Sequence, residues 1–449
     1  MSGKIVRTVG LMVLVFLLLV SPGLAKKVSL EECVKLAVKN YPAVQKGLYD
    51  IEGARWELTK AKLNRWPSME LFNLMGVVPD AEGDAITGDT KGGEYGFFNK
   101  LDLKISLPLI TFGRIKHGIK AAEKGVEMEQ AAHSATLNDV VYRVHKLYYG
   151  LVLAAQLRKS IVDLRDRFEE AYDIAEERLN KGEGNVTEAD VLKLKIGLAG
   201  MEEGVRKLDR QINTAREALM KLIGWKESSP VEPQDKRVKP VKLDLEPVEK
   251  YVNLALKNNP EVKRLEAAVR AAREEYLSEK AKYYPMLLAV GGVKYAVAPG
   301  REDQDNPFLC DEYNYFDVGA ALAVKWNMNL FETRADVLKK RARFMSLQKQ
   351  LEELKQGITV KVHEAYEKVI ERKGNLNSSW ESRKAGRALL ILSVTNFKFG
   401  IGSGKDVFDG LSIYARTADD YYRAVFEYNM AVAKLKNLTG TLIPTEGGQ

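Results

Sequence analysis

The chain has 449 residues, of which 45% are hydrophobic and 29% charged, and its formal net charge is +8. That length allows two or three ordinary domains, and that balance excludes both a disordered chain and a polytopic helical membrane protein. The positive excess is spread along helices where Lys and Glu alternate, as at Glu123-Lys124 and from Lys349 to Lys355, so it marks solvated faces and argues against nucleic acid as a partner.

Residues 1–25 have the layout of a secretory signal. Lys4 and Arg7 are the basic flank, Leu11 to Val20 the apolar run, and Ser21-Pro22-Gly23-Leu24-Ala25 the small-residue exit. The run is shorter than the ~20 residues a spanning helix needs, so cleavage after Ala25 is expected rather than a retained anchor. Lys26 follows, not Cys, so lipid attachment at a mature N-terminal Cys is not expected. Cys33 and Cys310 lie in different contexts and are expected as free thiols, with a bridge between them as the alternative.

The remainder reads as a tandem duplication. Ala37-Val38-Lys39-Asn40-Tyr41-Pro42 returns as Ala255-Leu256-Lys257-Asn258-Asn259-Pro260, and Trp66-Pro67 as Tyr284-Pro285. Arg114 returns at Arg334, and Gly182-Glu183-Gly184 at Gly400-Ile401-Gly402. The first repeat is placed at 26–225, the second at 247–440 and a tail at 441–449, with a linker at 226–246 carrying Pro230, Pro233 and Pro240.

In each repeat a short helix ends at Asn-x-Pro, because the residue before Pro is pushed out of the α region. A second helix follows, from Ala43 to about Asn64 and from Glu261 to about Lys282, stopped by Pro67 and Pro285. Two strand-like runs come next, near 68–79 and 95–108, then near 286–298 and 313–328. Leu101, Leu103, Ile105 and Leu107 alternate with polar residues, and Phe316, Val318, Ala320, Leu322, Val324 and Trp326 alternate with small or polar ones. Such alternation over about ten residues suits a membrane-barrel strand, although a half-buried strand of a soluble sheet shows it too. The first strand of each pair, from Met69 and from Met286, alternates poorly. Loops rich in Gly, Asp and Glu, from Pro79 to Glu94 and from Pro299 to Glu312, separate the strands.

Long helices follow, at about 112–181 and 332–399. Val141, Val144, Tyr148, Leu151, Ala155, then Leu164, Phe168, Ala171 and Ala175 form one stripe in the first. Ile358, Val362, Ala365 and Val369 do so in the second. At 1.5 Å per residue each spans roughly 100 Å, against ~10–14 residues for an ordinary globular helix. A Gly-containing tip leads into a return helix, at about 187–224 and 406–438. Val191, Leu194, Leu198, Met201, Val205, Leu208 and Ile212 step three and four throughout, as do Val407, Leu411, Tyr414, Ala418, Tyr421, Val425 and Tyr428. That repeat predicts left-handed coiled-coil pairing with the long helix.

Four strands cannot close a barrel, and an open edge cannot face lipid. Three chains would give twelve strands and leave a lumen, whereas eight strands are filled by side chains. The paired Asn-x-Pro motifs, the joints Pro108-Leu109-Ile110-Thr111-Phe112-Gly113-Arg114 and Asn329-Leu330-Phe331-Glu332-Thr333-Arg334, and the Gly-tipped coiled coils resemble the TolC-type outer-membrane efflux proteins. The resemblance covers essentially the whole mature chain. It implies a mixed α and β membrane protein: a homotrimer whose twelve-stranded outer-membrane β-barrel continues into a long periplasmic α-helical coiled-coil barrel. It also implies the exit duct of a tripartite efflux or type I secretion system, docked to a periplasmic adaptor and an inner-membrane pump.

The tip Gly400-Ile401-Gly402-Ser403-Gly404-Lys405-Asp406-Val407-Phe408-Asp409 resembles that family's tip, whose matching aspartates line the periplasmic aperture. Asp406 and Asp409 share a helix face, and three copies would stack two rings of carboxylates. The alternative is that Asp406 caps the return helix, and the two roles are compatible. In the first repeat Glu188 holds the acidic place if no gap is assumed, and Asp190 holds it after a two-residue insertion. Gly182, Gly184, Gly400, Gly402 and Ser403 are the candidate adaptor-docking positions. No catalytic residue, cofactor or metal site is expected. His117, His133, His145 and His363 lack metal-site pairing, and no nucleophile elbow or phosphate loop occurs. A secreted coiled-coil interaction protein is the alternative; it explains the heptads but not the signal, the strands and the duplication together.

Overall fold

The computed structural model describes residues 26–83, 88–182, 186–227, 229–304, 308 and 310–442. The signal segment, Gly184 and most of the C-terminal tail therefore lie outside the described residues. The chain forms two compact units. Of the described residues, one holds those up to Tyr49, from Ala131 to Lys263 and from Glu353 onward; the other holds Asp50–Gln130 and Arg264–Glu352.

The second unit is organised by an antiparallel sheet of four strands: β2 (Ser68–Glu82), β3 (Asp89–Ile110), β5 (Met286–Val297) and β6 (Tyr315–Lys325), in the order β2-β3-β5-β6. The first two strands run further than their alternation suggests, because β2 and β3 stay paired as far as Glu82↔Asp89. The two repeats are joined by β3 and β5, in register from Asn99↔Val297.

Directly opposed residues share a face of a sheet, so the register sorts the side chains. One face carries Met69, Leu71, Leu103, Ile105, Val293, Val318 and Leu322. The opposite face carries Glu70, Lys104, Gly292 and Gly319 in one row and Phe72, Asp102, Lys294 and Asp317 in the next. There Lys104 Nζ stands 3.5 Å from Asp102 Oδ2. The poor alternation of β2 now has a cause: Phe72 and Leu74 add apolar groups to the charged face, and Asn73 adds a polar one to the apolar face. The apolar face is uncovered, with Leu71, Val318, Leu322 and Val324 all exposed. So wide an apolar patch marks a surface that meets lipid or another chain.

Helix α6 (Pro260–Lys280) crosses from the first unit into the second, where its charged face meets both long helices, α3 (Arg114–Lys181) and α7 (Leu330–Lys398). Glu274 lies 2.7 Å from His117 of α3, and Glu275 lies 2.8 Å from Lys340 of α7. At the joint before α3, Phe112 takes φ 48° and Gly113 φ 92°. Phe112 stacks on Tyr284 with ring centroids 5.3 Å apart, which holds a backbone state that a non-Gly residue rarely adopts.

The first unit holds the remaining lengths of α3 and α7, the return helices α4 (Glu188–Ile223) and α8 (Gly404–Leu438), and the short helices α1 (Leu30–Asn40) and α5 (Val248–Asn258). Helix α2 (Pro42–Leu63) also begins there. Strand β1 (Lys26–Val28) pairs in parallel with β4 (Val231–Pro233) of the linker. Val191, Leu194, Leu208, Ile212, Leu219 and Leu222 are buried on α4, and Val407, Leu411, Ala418, Val425, Tyr428, Val432 and Leu435 on α8. The long-helix stripe slips in one place. Ala155 is exposed, while Leu151, Val152, Leu153, Ala154 and Leu157 are all buried. Here the linker covers the helix from a second side. Tyr148 Oη donates to Asp235 at 2.8 Å, and Gln156 Oε1 accepts from the Val238 N–H at 3.1 Å.

The duplicated Asn-x-Pro corners seat on the ends of the return helices. Asn40 Nδ2 donates to Ile223 O at 3.1 Å, and Asn259 Nδ2 to Leu438 O at 3.0 Å, so each satisfies a carbonyl that the helix leaves open. Gly224 (φ 62°) and Gly440 (φ 67°) end those helices, and a Cβ there would strike Asn40 or Asn258 within 2.6 or 2.8 Å. Cys33 is buried and Cys310 exposed, and both are free. Burial pushes the Cys33 thiol up to about 12, so it stays protonated and unreactive. Among the described residues no helix is long and apolar enough to cross a membrane.

Candidate functional site

The tips of the two helical hairpins lie together in the first unit. Leu164, Phe168, Ala171 and Ala175 of α3, Val191 and Leu194 of α4, Leu390 and Phe397 of α7, and Val407 and Leu411 of α8 form one core. Phe168 meets Phe408 edge to face at 6.0 Å. Glycine allows this approach: a Cβ on Gly197 would fall 2.7 Å from the Phe168 ring.

Each return helix opens with the same reciprocal cap. In α8 the Ser403 N–H donates to Asp406 Oδ2 at 2.9 Å, and the Asp406 N–H donates to Ser403 Oγ at 3.2 Å. In α4 the Thr187 N–H donates to Asp190 Oδ2 at 3.1 Å, and the Asp190 N–H to Thr187 Oγ1 at 3.3 Å. Each box satisfies two backbone donors that a helix start leaves open. The structural counterpart of Asp406 is therefore Asp190, and Glu188 is the exposed first residue of α4. The sequence carries the signal as Thr187-x-x-Asp190 and Ser403-x-x-Asp406.

The two caps differ in exposure. Asp190 is buried, with Gly404 against it so closely that a Cβ on Gly404 would lie 2.9 Å from the Asp190 Cβ. Asp406 and Asp409 are exposed, one turn apart on α8. The position after Asp190 that matches Asp409 holds Lys193, so the exposed carboxylate pair belongs to the second tip alone. The Ser403 N–H and hydroxyl, with the nearby Lys405 ammonium, hold the Asp406 carboxyl below the usual carboxylate range.

Gly182 and Gly400 turn the chain with φ 67° and 77°. The Gly400 N–H donates to Phe397 O at 3.0 Å, and those of Ile401 and Gly402 to Asn396 O at 2.9 and 3.2 Å. A contact between hairpins escapes any reading of periodicity. Arg178 Nη1 of α3 donates to Phe397 O at 2.9 Å, Nη2 to Lys398 O at 3.3 Å, and the guanidinium lies 5.0 Å from the Phe397 ring. Lys398 Nζ in turn stands 2.7 Å from Glu170 Oε1. Helix α3 thus caps the C-terminus of α7. Phe399 and Ile401, at the end of that helix, are exposed. Among the described residues no group of three or more His, Cys, Asp and Glu could hold a metal ion.

The sequence profile of the family described as outer membrane efflux protein matches residues 84–225. The fold is similar over nearly its whole length to solved outer-membrane channels. CusC is 16% identical with a TM-score of 0.75, covering 93% of this chain and 95% of its own. The open state of MtrE from Neisseria gonorrhoeae is 16% identical with a TM-score of 0.75, over 92% and 89%. The chain thus has the fold of these channels, and residues 84–225 within it match the outer membrane efflux protein family. VceC from Vibrio cholerae, at 14% identity, a TM-score of 0.72 and 92% and 97% coverage, has the same fold. No curated protein matches the chain significantly. Asp190→Ala should remove the N3 half of one capping box and leave the Thr187 half, read as a lower thermal midpoint and faster proteolysis at the first tip. Asp190→Asn should fall between the two; an Ala variant that melts like the native protein would show that the Gly404 packing alone orders this tip.

Proposed function

We propose that this chain is one protomer of a trimeric efflux channel in the outer membrane, passively conducting substrates delivered by a periplasmic adaptor and an inner-membrane pump. The observation that carries the reading is the four-stranded sheet whose edge strands β2 and β6 pair with no further strand among the described residues, and whose apolar face is uncovered. Edges open to lipid cost several kcal/mol for each unsatisfied backbone group, so the sheet must close with copies of itself. Three copies make a barrel with a lumen, lined by the face that bears Glu70, Lys104, Asp102, Lys294 and Asp317. In the same reading Asp406 and Asp409 stand at the periplasmic aperture, and the exposed tip from Gly400 to Ser403, with Gly182, meets the adaptor. A soluble coiled-coil interaction protein has no use for the apolar sheet face.

Mass measurement of the protein extracted from membranes in mild detergent tests the assembly. A trimer is expected in the outer-membrane fraction, and a stable monomer or a freely soluble chain would overturn the reading.

A further inference from the structure

Beside the core of the tips, residues of α3, α4, α7, α8 and the linker line a cleft of about 870 Å³. Its apolar floor is the surface left accessible by Ala155, Ile391, Tyr414 and Tyr422. Its walls are basic. Lys159, Arg167, Arg216, Arg237, Arg383 and Arg387 line it, against Asp163, Glu232 and Asp235. Asp235 is already engaged by Tyr148, and Arg216 by Val231 O and Asn213. Among the described residues none of Lys159, Arg167, Arg383 and Arg387 is in an ion pair.

Arg383 is the most constrained of these. Its guanidinium carbon lies 5.6, 5.0 and 5.0 Å from the rings of Trp380, Tyr421 and Tyr422. One Nη donates to Tyr422 Oη at 3.1 Å, while its Nε–H is buried and has no partner. Buried donors are nearly always satisfied, and an orphan on a charged group is costly. Three aromatic faces fix the plane of the fork in advance, so little entropy is lost when an anion arrives. Like charges gathered around one cleft repel one another, and a bound anion would relieve that repulsion.

We propose that this cleft is a binding site for small amphipathic organic anions, with the apolar body on the floor and a phosphate or carboxylate group among Arg383, Arg387 and Arg167. An apolar floor with a few convergent charged groups is the usual build of a small-molecule site, and the volume falls within the usual range. Guanidinium forks match the paired oxygens of phosphate and carboxylate. A purely inorganic anion would leave the floor unused, and a neutral aromatic would leave the forks unpaired.

The test uses the detergent-purified full-length assembly and 1-naphthyl phosphate, followed by its fluorescence, with 1-naphthol and inorganic phosphate as controls. The native protein should bind naphthyl phosphate at least tenfold more tightly than either control, and more weakly as salt is raised. The double variant Arg167→Gln with Arg387→Gln should weaken binding tenfold or more. Both residues are exposed, so this change leaves the aromatic seat of Arg383 intact and should not disturb folding. Arg383→Lys keeps the charge but loses the fork, and should weaken binding of the phosphate while leaving its salt dependence. Equal binding by the native and double-variant proteins would overturn the site. So would equal binding of naphthol and naphthyl phosphate, or no binding to the native assembly, which would mean that a neighbouring chain fills the cleft.

Discussion

Leu322→Arg should strongly reduce the yield of assembled protein, whereas Ala321→Arg one residue away should be far milder. Leu322 lies opposite Ala289, which lies opposite Leu107, on the apolar face of the sheet, and its side chain is 71% exposed in the single chain. Arg at a bilayer midplane costs about 2–4 kcal/mol, so three copies in a trimer would cost roughly 6–12 kcal/mol. Ala321 lies opposite Val290 and Ser106, on the face shared with Lys104, Lys294 and Asp317, where water and charge are already accommodated. Trimer yield in detergent extracts is the measurement. The same yield for both variants, or the reverse order, would mean that the charged face of the sheet is the one in lipid.

The second large effect is expected at the aperture. Asp406 and Asp409 are exposed on one turn of α8, and in the proposed trimer three copies would bring six carboxylates to one constriction. Divalent or trivalent cations on the periplasmic side should then block conductance in planar bilayers. Asp406→Ala with Asp409→Ala should abolish the block and reduce cation selectivity. Trimer yield should be nearly unchanged, because Ser403 still accepts from the backbone N–H of residue 406 and keeps half of the cap. Asp409→Asn separates the two roles, since Asp409 lies outside the reciprocal cap and its loss should weaken the block with no change in thermal midpoint. Lys405→Ala should strengthen the block by removing the adjacent cation.

The pH dependence of the block has a defined sign. The folded protein holds the Asp406 carboxyl low through the Ser403 N–H and hydroxyl. Its cap is complete above the ordinary carboxylate pKa and is lost as pH falls through the lowered value. Block should therefore persist while an unrestrained carboxylate would already be protonated. A double variant that retains native block and selectivity would assign the carboxylates to capping alone and move the constriction elsewhere, with Glu188 the next place to look.

The sequence by itself determined the faces of the return helices and of the alternating strands, but not β1 or β4, which are too short to show a period. Seven-residue spacing at Leu411, Ala418, Val425 and Val432 reports one buried stripe, and these residues are buried. Alternation from Phe316 to Val324 reports one apolar face, and the register produces it. These signals are legible because side-chain direction follows from backbone period alone. What a face packs against is not encoded in its period.

Only the tertiary structure paired β3 with β5, and so fused the two repeats into one sheet. It also drew compact units that cut across both repeats, gathering like parts from each. It matched Asp190 to Asp406, because a cap is defined by which backbone N–H the carboxylate reaches. It tied Arg178 to the end of α7, and it collected Arg167, Arg383 and Arg387 from two helices far apart in sequence around one cleft. Burial is a property that each residue carries in its own period; partnership depends on distances between segments that the chain brings together only when it folds.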